Sequence, residues 1–296
     1  MHRRTPSERI NTLSAVSSTI DDRNALAMDW LMGITEFCGK KVTPIGVGTW
    51  KMGGGDSPDP RHDLRDIASL RMALDQGVNV IDTAEMYGNG HSEEIVREAI
   101  RGYSRDDLVI VSKVLPSHLT ESLLRKSLEH SLKRLGTHYL DLYLIHWPPA
   151  DLNLVDGALR TMEQLVTEGK IRSIGVSNFD VEELQRVQNA LHREPLVANQ
   201  IEYSLLDRSA EKQVIPYCEK NKIIVMAYTP LADGKVARLP QVEEVARRTG
   251  HTPIQVALSY LTRRSIPIPK ASQPKHMEEI LGTLGWELST RDWRAL

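Results

Sequence analysis

The sequence predicts one (β/α)8 barrel, an α/β fold in which eight parallel strands alternate with helical connections. Eight short apolar runs alternate with segments of helical periodicity along the chain, and no charge run or linker divides them. The length of 296 residues also suits a single large core, since a barrel of this kind needs roughly 250 residues. We therefore expect one barrel domain rather than two smaller ones.

The strands are expected where Val, Ile and Leu cluster between turn residues. The run at 79–84, for example, contains Val80 and Ile81, follows Gly77 and is closed by a glycine-rich turn. Ahead of the barrel, segments 34–37 and 41–45 flank Gly39 and predict a β-hairpin. In chain order, the barrel strands are predicted at 45–49, 79–84, 108–114, 140–147, 171–176, 197–202, 223–227 and 266–268.

The helices are expected where apolar residues recur at helical spacing, as Leu70 and Leu74 do in the first of them. Ser92 is expected to cap the second helix, ahead of the acidic residues Glu93 and Glu94. The helical segments are predicted at 64–75, 91–101, 120–135, 154–168, from after 179 to about 191, 210–221, 239–248, 253–264 and from about 274.

Residues 1–33 are expected to form a disordered N-terminal extension, and residues 34–296 the barrel domain. Residues 1–24 are rich in Ser, Thr and Arg and nearly free of large apolar side chains, which is typical of disorder. The arginines resemble those of a transit peptide, whereas Glu8, Asp21 and Asp22 count against one. Met28 and Met32 are alternative starts between which the sequence does not decide.

The composition excludes several classes of function. A formal net charge of −2 offers no basic excess for nucleic acid or for an anionic membrane. Cys38 and Cys218 are too few for a disulfide framework, and no Cys/His cluster has metal-ligand spacing, so no metal is expected. Histidines such as His118 are isolated and are expected to face solvent or to cap helices. No run approaches the ~20 apolar residues of a membrane span, so we expect a cytoplasmic protein, monomeric or weakly homo-oligomeric.

Four polar residues lie at the ends of successive strand patterns. Asp82 closes the second strand, Tyr87 follows five residues later, and Lys113 and His146 end the third and fourth strands. Lys113 follows Asp82 by 31 residues and His146 follows Lys113 by 33, so each step matches one strand-and-helix unit. Since the parallel strands of a barrel end at one rim, where active sites of this fold lie, we expect the four side chains to converge there.

These residue types suit the reduction of a carbonyl group. Tyr87 can protonate the oxygen as hydride adds to the carbon, and His146 can donate a hydrogen bond to that oxygen. The Lys113 ammonium, held by Asp82, is expected to lower the pKa of Tyr87 from its ordinary value of about 10. Taken singly, each residue has an alternative interpretation, such as a structural ion pair or a loop-capping tyrosine. Together, in this order, they favour catalysis.

In these four residues and their spacing, the sequence resembles the aldo-keto reductase superfamily. The resemblance covers about residues 34–296. It implies reduction of aldehydes, ketones or sugar carbonyls to alcohols by hydride transfer from NADPH, and a TIM barrel whose N-terminal hairpin closes the bottom. The family binds its dinucleotide without a Gly-x-Gly-x-x-Gly motif, and none follows a strand here.

The same resemblance assigns the remaining site residues. It implies a substrate pocket walled by Trp50 and Trp147 next to Tyr87 and His146, although both tryptophans could equally be ordinary core residues. Ser177, Asn178 and Gln200 correspond to the residues that hydrogen-bond the nicotinamide carboxamide, and Tyr228 to the ring that stacks on it. The cofactor-binding residues so implied are Thr49, Lys51, Asp82, Ser177, Asn178, Gln200, Tyr228, Leu231, Lys270, Ser272, His276 and Glu279.

The segment 270–280 departs from the family pattern. Lys270 keeps the cation that meets the ribose 2′-phosphate of NADP, and Glu279 keeps a position near the adenine. Ala271, His276 and Ile280 stand where Ser, Arg and Asn are common in the family. Because an arginine fork is lost, the preference for a phosphate is weakened. NADPH is therefore the expected cofactor, with NADH as an alternative.

Two other functions remain open from the sequence. A binding or regulatory protein on the same scaffold would hold nucleotide with little turnover. A barrel lyase would use Lys113 as a Schiff-base nucleophile, although such enzymes do not require the tyrosine at this spacing. The chain also ends soon after Leu288, without the longer closing loop of animal members, which predicts an open pocket mouth.

Overall fold

The computed structural model describes residues 34–296, so the prediction for residues 1–33 lies outside the described part of the chain. The first described element is the expected hairpin, formed by β1 (Glu36–Phe37) and β2 (Lys40–Lys41) in antiparallel register. Ile34 and Phe37 are buried against Val80 and Val109, which lie at the start of barrel strands. The hairpin therefore closes the amino-terminal end of the barrel.

The barrel consists of eight parallel strands in sequential order, as predicted. The first and last strands meet through two backbone hydrogen bonds, from Gly46 N to Pro267 O (2.9 Å) and from Gly48 N to Pro269 O (3.0 Å). A Cβ atom at position 48 would lie 2.8 Å from the Ile268 carbonyl oxygen, so this close approach requires glycine. The strands are β3 (Val47–Gly48), β4 (Val80–Asp82), β5 (Val109–Val114), β6 (Leu142–Ile145), β7 (Ile174–Ser177), β8 (Leu196–Glu202), β9 (Ile224–Tyr228) and β10 (Ile266–Pro267).

Helices follow the strands in the predicted order, with small shifts at their ends. The predicted segment 210–221 is divided into a 3₁₀ turn, Ser209–Lys212, and a shorter α-helix, because the backbone of Gln213 departs from helical angles. The last helix was not predicted. The helices are α1 (Asp63–Asp75), α2 (His91–Ala99), α3 (Glu121–Leu135), α4 (Asn153–Thr167), α5 (Val181–Ala190), α6 (Val214–Lys220), α7 (Pro240–Thr249), α8 (Pro253–Leu261), α9 (Pro274–Leu281) and α10 (Thr290–Arg294).

The predicted capping role of Ser92 is wrong. Gly90 occupies the N-cap position of α2, where its backbone is left-handed. Ser92 lies two residues further on, within the first turn of α2, and is fully buried; its hydroxyl donates to the carbonyl oxygens of Thr49 (3.2 Å) and Met52. The side chain thus links α2 to the segment after β3 and does not cap the free backbone N–H groups at the start of its own helix.

Alternation along the strands decides which residues face the inside of the barrel. On β5, Val109 and Val111 belong to the interior cluster, whereas Ile110 packs outward against the helices. Continuing this alternation directs Lys113 into the barrel at the carboxyl end of the strand. On β4, Val80 belongs to the interior cluster, and Asp82, two residues further on, faces the same side.

No helix within residues 34–296 is both long and apolar enough to cross a membrane.

Candidate active site

The Lys113 ammonium lies at the centre of the polar cluster and is fully buried. Its Nζ donates to Asp82 Oδ2 (2.8 Å), to the Thr83 carbonyl oxygen (2.9 Å) and to the Tyr87 hydroxyl oxygen (3.0 Å). These three bonds use all three N–H donors of the ammonium group. The phenolic hydrogen of Tyr87 is therefore left free for another acceptor.

The charge on Lys113 is stable in this position. Burial by itself disfavours the ammonium, but Asp82 and Tyr87 outweigh it, and the pKa of Lys113 is raised above its ordinary value of 10.5. Asp82 is in turn held from the other side of the barrel, because Gln200 Nε2 donates to its Oδ1 at 2.7 Å. The carboxylate thus has a fixed partner on each oxygen.

The pKa of Tyr87 departs from the sequence-based expectation. Burial raises it above 10, while Lys113 lowers it by charge and by hydrogen bonding and Asp82 raises it further. The predicted effect of Lys113 is present, but burial of the phenol is larger and the net direction is upward. Tyr87 is consequently protonated at neutral pH, which is the state that an acid requires.

His146 lies beside Tyr87, with the two ring centroids 5.7 Å apart. Burial and the positive charge of Lys113 lower the pKa of His146 to about 2, so the imidazole is neutral at physiological pH. A neutral imidazole can donate one hydrogen bond, but it lacks the acidic proton of an imidazolium and is a poor proton donor. Of the two groups, Tyr87 is therefore the better proton donor.

A cavity of about 780 Å³ opens above these residues at the carboxyl end of the barrel. Asp82, Tyr87 and His146 line it, while Lys113 lies behind Asp82 and Tyr87 and does not reach the surface. Trp50 and Trp147 form part of its wall and are each 38 % exposed, so neither is a core residue. Trp50 packs edge-on against Tyr87 (4.9 Å between centroids), and Trp147 stacks on His146 (3.8 Å).

Three further polar residues line the cavity between β7 and β9. The amide of Asn178 donates to the His146 carbonyl oxygen (3.1 Å) and accepts from the Tyr228 hydroxyl (2.8 Å). Ser177 is buried, and its hydroxyl donates to the Gln200 carbonyl oxygen (2.9 Å). The side chains of Asn178 and Tyr228 are thereby held in fixed positions, with the ring of Tyr228 only half-buried.

Positive charge gathers at one end of the cavity. Lys51 and Lys270 line it there with His276 and Glu279, and neither lysine has a carboxylate within ion-pair distance among residues 34–296. Burial lowers the pKa of Lys270; Asp66 opposes this, while Arg65 and Lys51 add to it. An ammonium in this position favours a bound anion.

Two predicted cofactor residues, Thr49 and Ser272, do not line the cavity. Thr49 is fully buried, and its hydroxyl donates to the Asp82 carbonyl oxygen (3.0 Å). It therefore holds the backbone of a residue that lines the cavity. The Ser272 hydroxyl is buried and has no hydrogen-bond partner within residues 34–296. Leu231 does line the cavity, as predicted.

The sequence-based prediction missed the loop after β9 as a cavity wall. Thr229, Pro230, Ala232, Asp233 and Gly234 line the cavity together with Leu231. Thr229, Ala232 and Asp233 have positive φ angles of 50°, 45° and 55°, which residues other than glycine rarely adopt. The Asp-Gly pair at 233–234 was the available turn signal.

Residues 34–296 contain no group of three or more His, Cys, Asp or Glu side chains that could hold a metal ion.

A (β/α)8 barrel with a buried lysine, a tyrosine and a carboxylate joined at its carboxyl rim, beside an anion-attracting cavity, defines an enzyme of the reductase type. The family model for the aldo/keto reductases matches residues 44–296, and the chain belongs to that family, whose members are NAD(P)H-dependent oxidoreductases. It thus acts as a carbonyl reductase.

Relatives and solved structures agree with this assignment. The methylglyoxal reductase YeaE of Escherichia coli (strain K12) is 34% identical over 265 residues, covering 87% of this chain and 91% of that protein. An NADH-specific methylglyoxal reductase from the same organism is 32% identical over 214 residues, 65% of each chain. The crystal structure of an aldo/keto reductase from Klebsiella pneumoniae in complex with NADP and acetate has a TM-score of 0.79 and 37% identity, covering 88% of this chain and 93% of that one.

Proposed function

We propose that the cavity at the carboxyl end of the barrel reduces small aldehydes, ketones and sugar carbonyls, with Tyr87 as the acid and NADPH as the usual cofactor. The observation that carries the proposal is the 3.0 Å contact between Lys113 Nζ and the Tyr87 hydroxyl oxygen on the floor of this cavity. Because a relative is named for methylglyoxal, small 2-oxoaldehydes are the first substrates to test.

The cavity has the donors that a dinucleotide needs. Asn178 and Gln200 carry amides suited to a carboxamide, and the half-exposed ring of Tyr228 offers a flat face for stacking. At the other end, Lys270 and Lys51 have no ion-pair carboxylate within the described residues and would hold phosphate groups. The buried hydroxyl of Ser272 has no hydrogen-bond partner within residues 34–296, but Ser272 does not line the cavity, so its contact with the cofactor stays a prediction. The similar Klebsiella structure contains NADP, and we therefore assign these residues of the present chain to the binding of NADPH.

Bound NADPH supplies the hydride that reduces the carbonyl carbon. Tyr87 provides the proton for the oxygen, because its own hydrogen is not used by Lys113. The Lys113 ammonium stabilises the phenolate that remains, and Asp82 keeps that ammonium in place. His146, neutral at working pH, orients the oxygen by one hydrogen bond. Trp50 and Trp147 wall the substrate side and exclude water.

Selection between NADPH and NADH depends on the end of the cavity near α9. Lys270 favours a 2′-phosphate, but His276 supplies no permanent charge in the place of an arginine. A relative is NADH-specific. We therefore assign NADPH first and NADH as a second, weaker cofactor.

The geometry weighs against the lyase alternative. A Schiff-base lysine must be reachable and must lose its proton to become a nucleophile. Lys113 is fully buried, donates three hydrogen bonds and has a raised pKa.

We further propose that residues 34–296 form one barrel domain, that the protein is cytoplasmic, and that it is a monomer or a weak homo-oligomer.

The test measures loss of the near-ultraviolet absorbance of NADPH and NADH, in parallel, with a panel of aldehydes, ketones and sugars. Turnover with small 2-oxoaldehydes, faster with NADPH, is the expected result. Binding of NADPH without consumption by any carbonyl would favour the binding-protein alternative. Trapping with borohydride tests the lyase, which predicts a covalent adduct on Lys113.

A further inference from the structure

Tyr87 and Lys113 are brought together from two different segments. Tyr87 begins a 3₁₀ turn, Tyr87–Gly90, after β4, whereas Lys113 lies within β5. Two backbone hydrogen bonds link the segments beyond the strands: Thr83 N donates to the Val111 carbonyl oxygen at 2.9 Å, whereas the bond nearer Tyr87, from Glu85 N to the Lys113 carbonyl oxygen, is long at 3.5 Å. The turn is also anchored by Gly88 N, which donates to the Gly55 carbonyl oxygen at 2.8 Å, but its backbone bond to β5 is weak, so a side-chain link at Glu85 adds support on the side that faces Lys113.

The side chain of Glu85 supplies a second link. Its Oε1 accepts from the Leu115 backbone N–H at 2.7 Å and lies 3.0 Å from His118 Nδ1. The carboxylate is only 8 % exposed. Glu85 lies two residues before Tyr87, and Leu115 lies two residues after Lys113. The bridge therefore spans the two segments directly beside the reacting pair.

His118 is partly solvent-facing, as expected, with 37 % of its side chain exposed, but it is not isolated. His118 belongs to the 3₁₀ turn Pro116–His118 that follows β5, and its Nδ1 also lies 3.1 Å from the Ser127 hydroxyl on α3. Glu85 thus connects the Tyr87 turn both to the end of β5 and, through His118, to the outer helix. Hydrogen bonds to an ionised carboxylate are shorter and stronger than those between neutral groups.

We infer that Glu85 is a positioning residue, whose carboxylate fixes the Tyr87 turn against the end of β5 and so sets the distance between the Tyr87 hydroxyl and Lys113 Nζ. The inference rests on the proposed carbonyl reductase activity. Glu85 does not line the cavity, so it touches neither substrate nor cofactor. Its effect on the reaction passes through Tyr87, and its loss impairs proton transfer rather than NADPH binding.

The experiment compares Glu85→Ala with Glu85→Gln. The alanine variant removes both links, whereas glutamine keeps an amide oxygen that can accept from the Leu115 N–H. With a misplaced acid, kcat of Glu85→Ala should fall by up to ~10²-fold. Proton transfer then limits the rate, so the solvent deuterium isotope effect on kcat should grow. The Kd of NADPH, measured by fluorescence titration, should stay within about twofold, and Glu85→Gln should recover most of kcat.

Glu163 on α4 offers a matched control. Its Oε1 accepts from the backbone N–H groups of His192, Arg193 and Glu194, at 2.8, 2.6 and 3.2 Å, and it is likewise a buried carboxylate tying two segments together. It lies outside the residues that form the cavity. Glu163→Ala should lose stability, as followed by urea unfolding, but should keep kcat and the isotope effect of the unchanged protein.

Equal kcat and isotope effects in Glu85→Ala and Glu163→Ala would overturn the inference, because Glu85 would then be a structural tie only. A parallel loss of NADPH affinity in Glu85→Ala would also contradict it. If Glu163→Ala and the unchanged protein reduce carbonyls, the proposed function stands whatever the Glu85 variants do. If the unchanged protein reduces none, both the function and the inference fail.

Discussion

Lys113 Nζ donates to the hydroxyl oxygen of Tyr87 at 3.0 Å, and the ammonium has no donor left over, since Asp82 and the Thr83 carbonyl take the other two. The phenolic hydrogen of Tyr87 must then point elsewhere, and the open side of Tyr87 is the cavity. Because the donors of Lys113 are all used, the hydrogen that Tyr87 can give away is its own, and it points towards a group in the cavity.

Replacing Tyr87 by Phe should lower kcat by ~10²- to 10⁴-fold, the usual contribution of a positioned acid, without changing NADPH binding. Steady-state kinetics and fluorescence titration measure the two quantities. Tyr143→Phe is the matched control: the Tyr143 hydroxyl is buried on the outer face of β6 and has no hydrogen-bond partner within residues 34–296. Near-normal turnover of Tyr87→Phe would mean that another acid acts.

Replacing Asp82 by Asn should destabilise the fold by about 3–5 kcal/mol, because the fully buried ammonium of Lys113 loses its counter-charge. Urea unfolding measures the change. The exposed pair of Asp59 and Arg61 provides the comparison, and Asp59→Asn should change stability little. A double variant, Asp82→Asn with Lys113→Met, should be more stable than Asp82→Asn alone; the opposite order would contradict the ion-pair account.

The stability of the fold should depend on pH through His146. Its pKa falls from 6.5 to about 2 on folding, so between these values the unfolded chain binds a proton that the folded chain does not. Stability is therefore complete above pH 6.5 and is lost as the pH falls, by at most about 1.4 kcal/mol per pH unit. Urea unfolding of the unchanged protein and of His146→Asn at several pH values tests this. The variant should show a shallower slope below pH 6.5, and identical slopes would rule out the assignment.

Lys270 should carry the preference for NADPH. Lys270→Met should weaken NADPH binding by about tenfold, a change of about 1.4 kcal/mol, because a phosphate loses its cation. NADH lacks that phosphate, so its Kd should change much less. His276→Arg should act in the opposite sense and tighten NADPH selectively, since arginine adds a charged fork. Equal effects of Lys270→Met on both cofactors would place the lysine elsewhere than at the 2′-phosphate.

Closure of the barrel should depend on Gly48. A methyl group there would lie 2.8 Å from the Ile268 carbonyl oxygen, which is backbone and cannot easily move. Gly48→Ala should cost about 1–3 kcal/mol in urea unfolding. Gly157, in the middle of α4, is the control, because the nearest neighbour of an added Cβ is 3.9 Å away. Gly157→Ala should stabilise the protein by about 0.5–1 kcal/mol, since alanine restricts the unfolded chain.

Much of the fold was predictable, because strand and helix periods are local properties of the chain. The alternation of Val109, Val111 and Lys113 on one strand already directs the lysine inward. The spacing of Asp82, Lys113 and His146 places the first two on neighbouring parallel strands and the third directly after the next strand. Ser92, in contrast, was misassigned as a cap, because its true partners, Thr49 and Met52, are about forty residues away in sequence.

The sequence by itself determined the order of the elements, the rim at which the polar residues collect and the kinds of group that meet there, because these follow from periodicity and residue chemistry. Only the tertiary structure decided the direction of the Tyr87 pKa shift, the cavity wall at 229–234 and the bridge from Glu85 to Leu115. Burial depends on what surrounds a group, and contacts such as these join residues brought together by the closing of the barrel. Neither can be read from the spacing of residues along one strand.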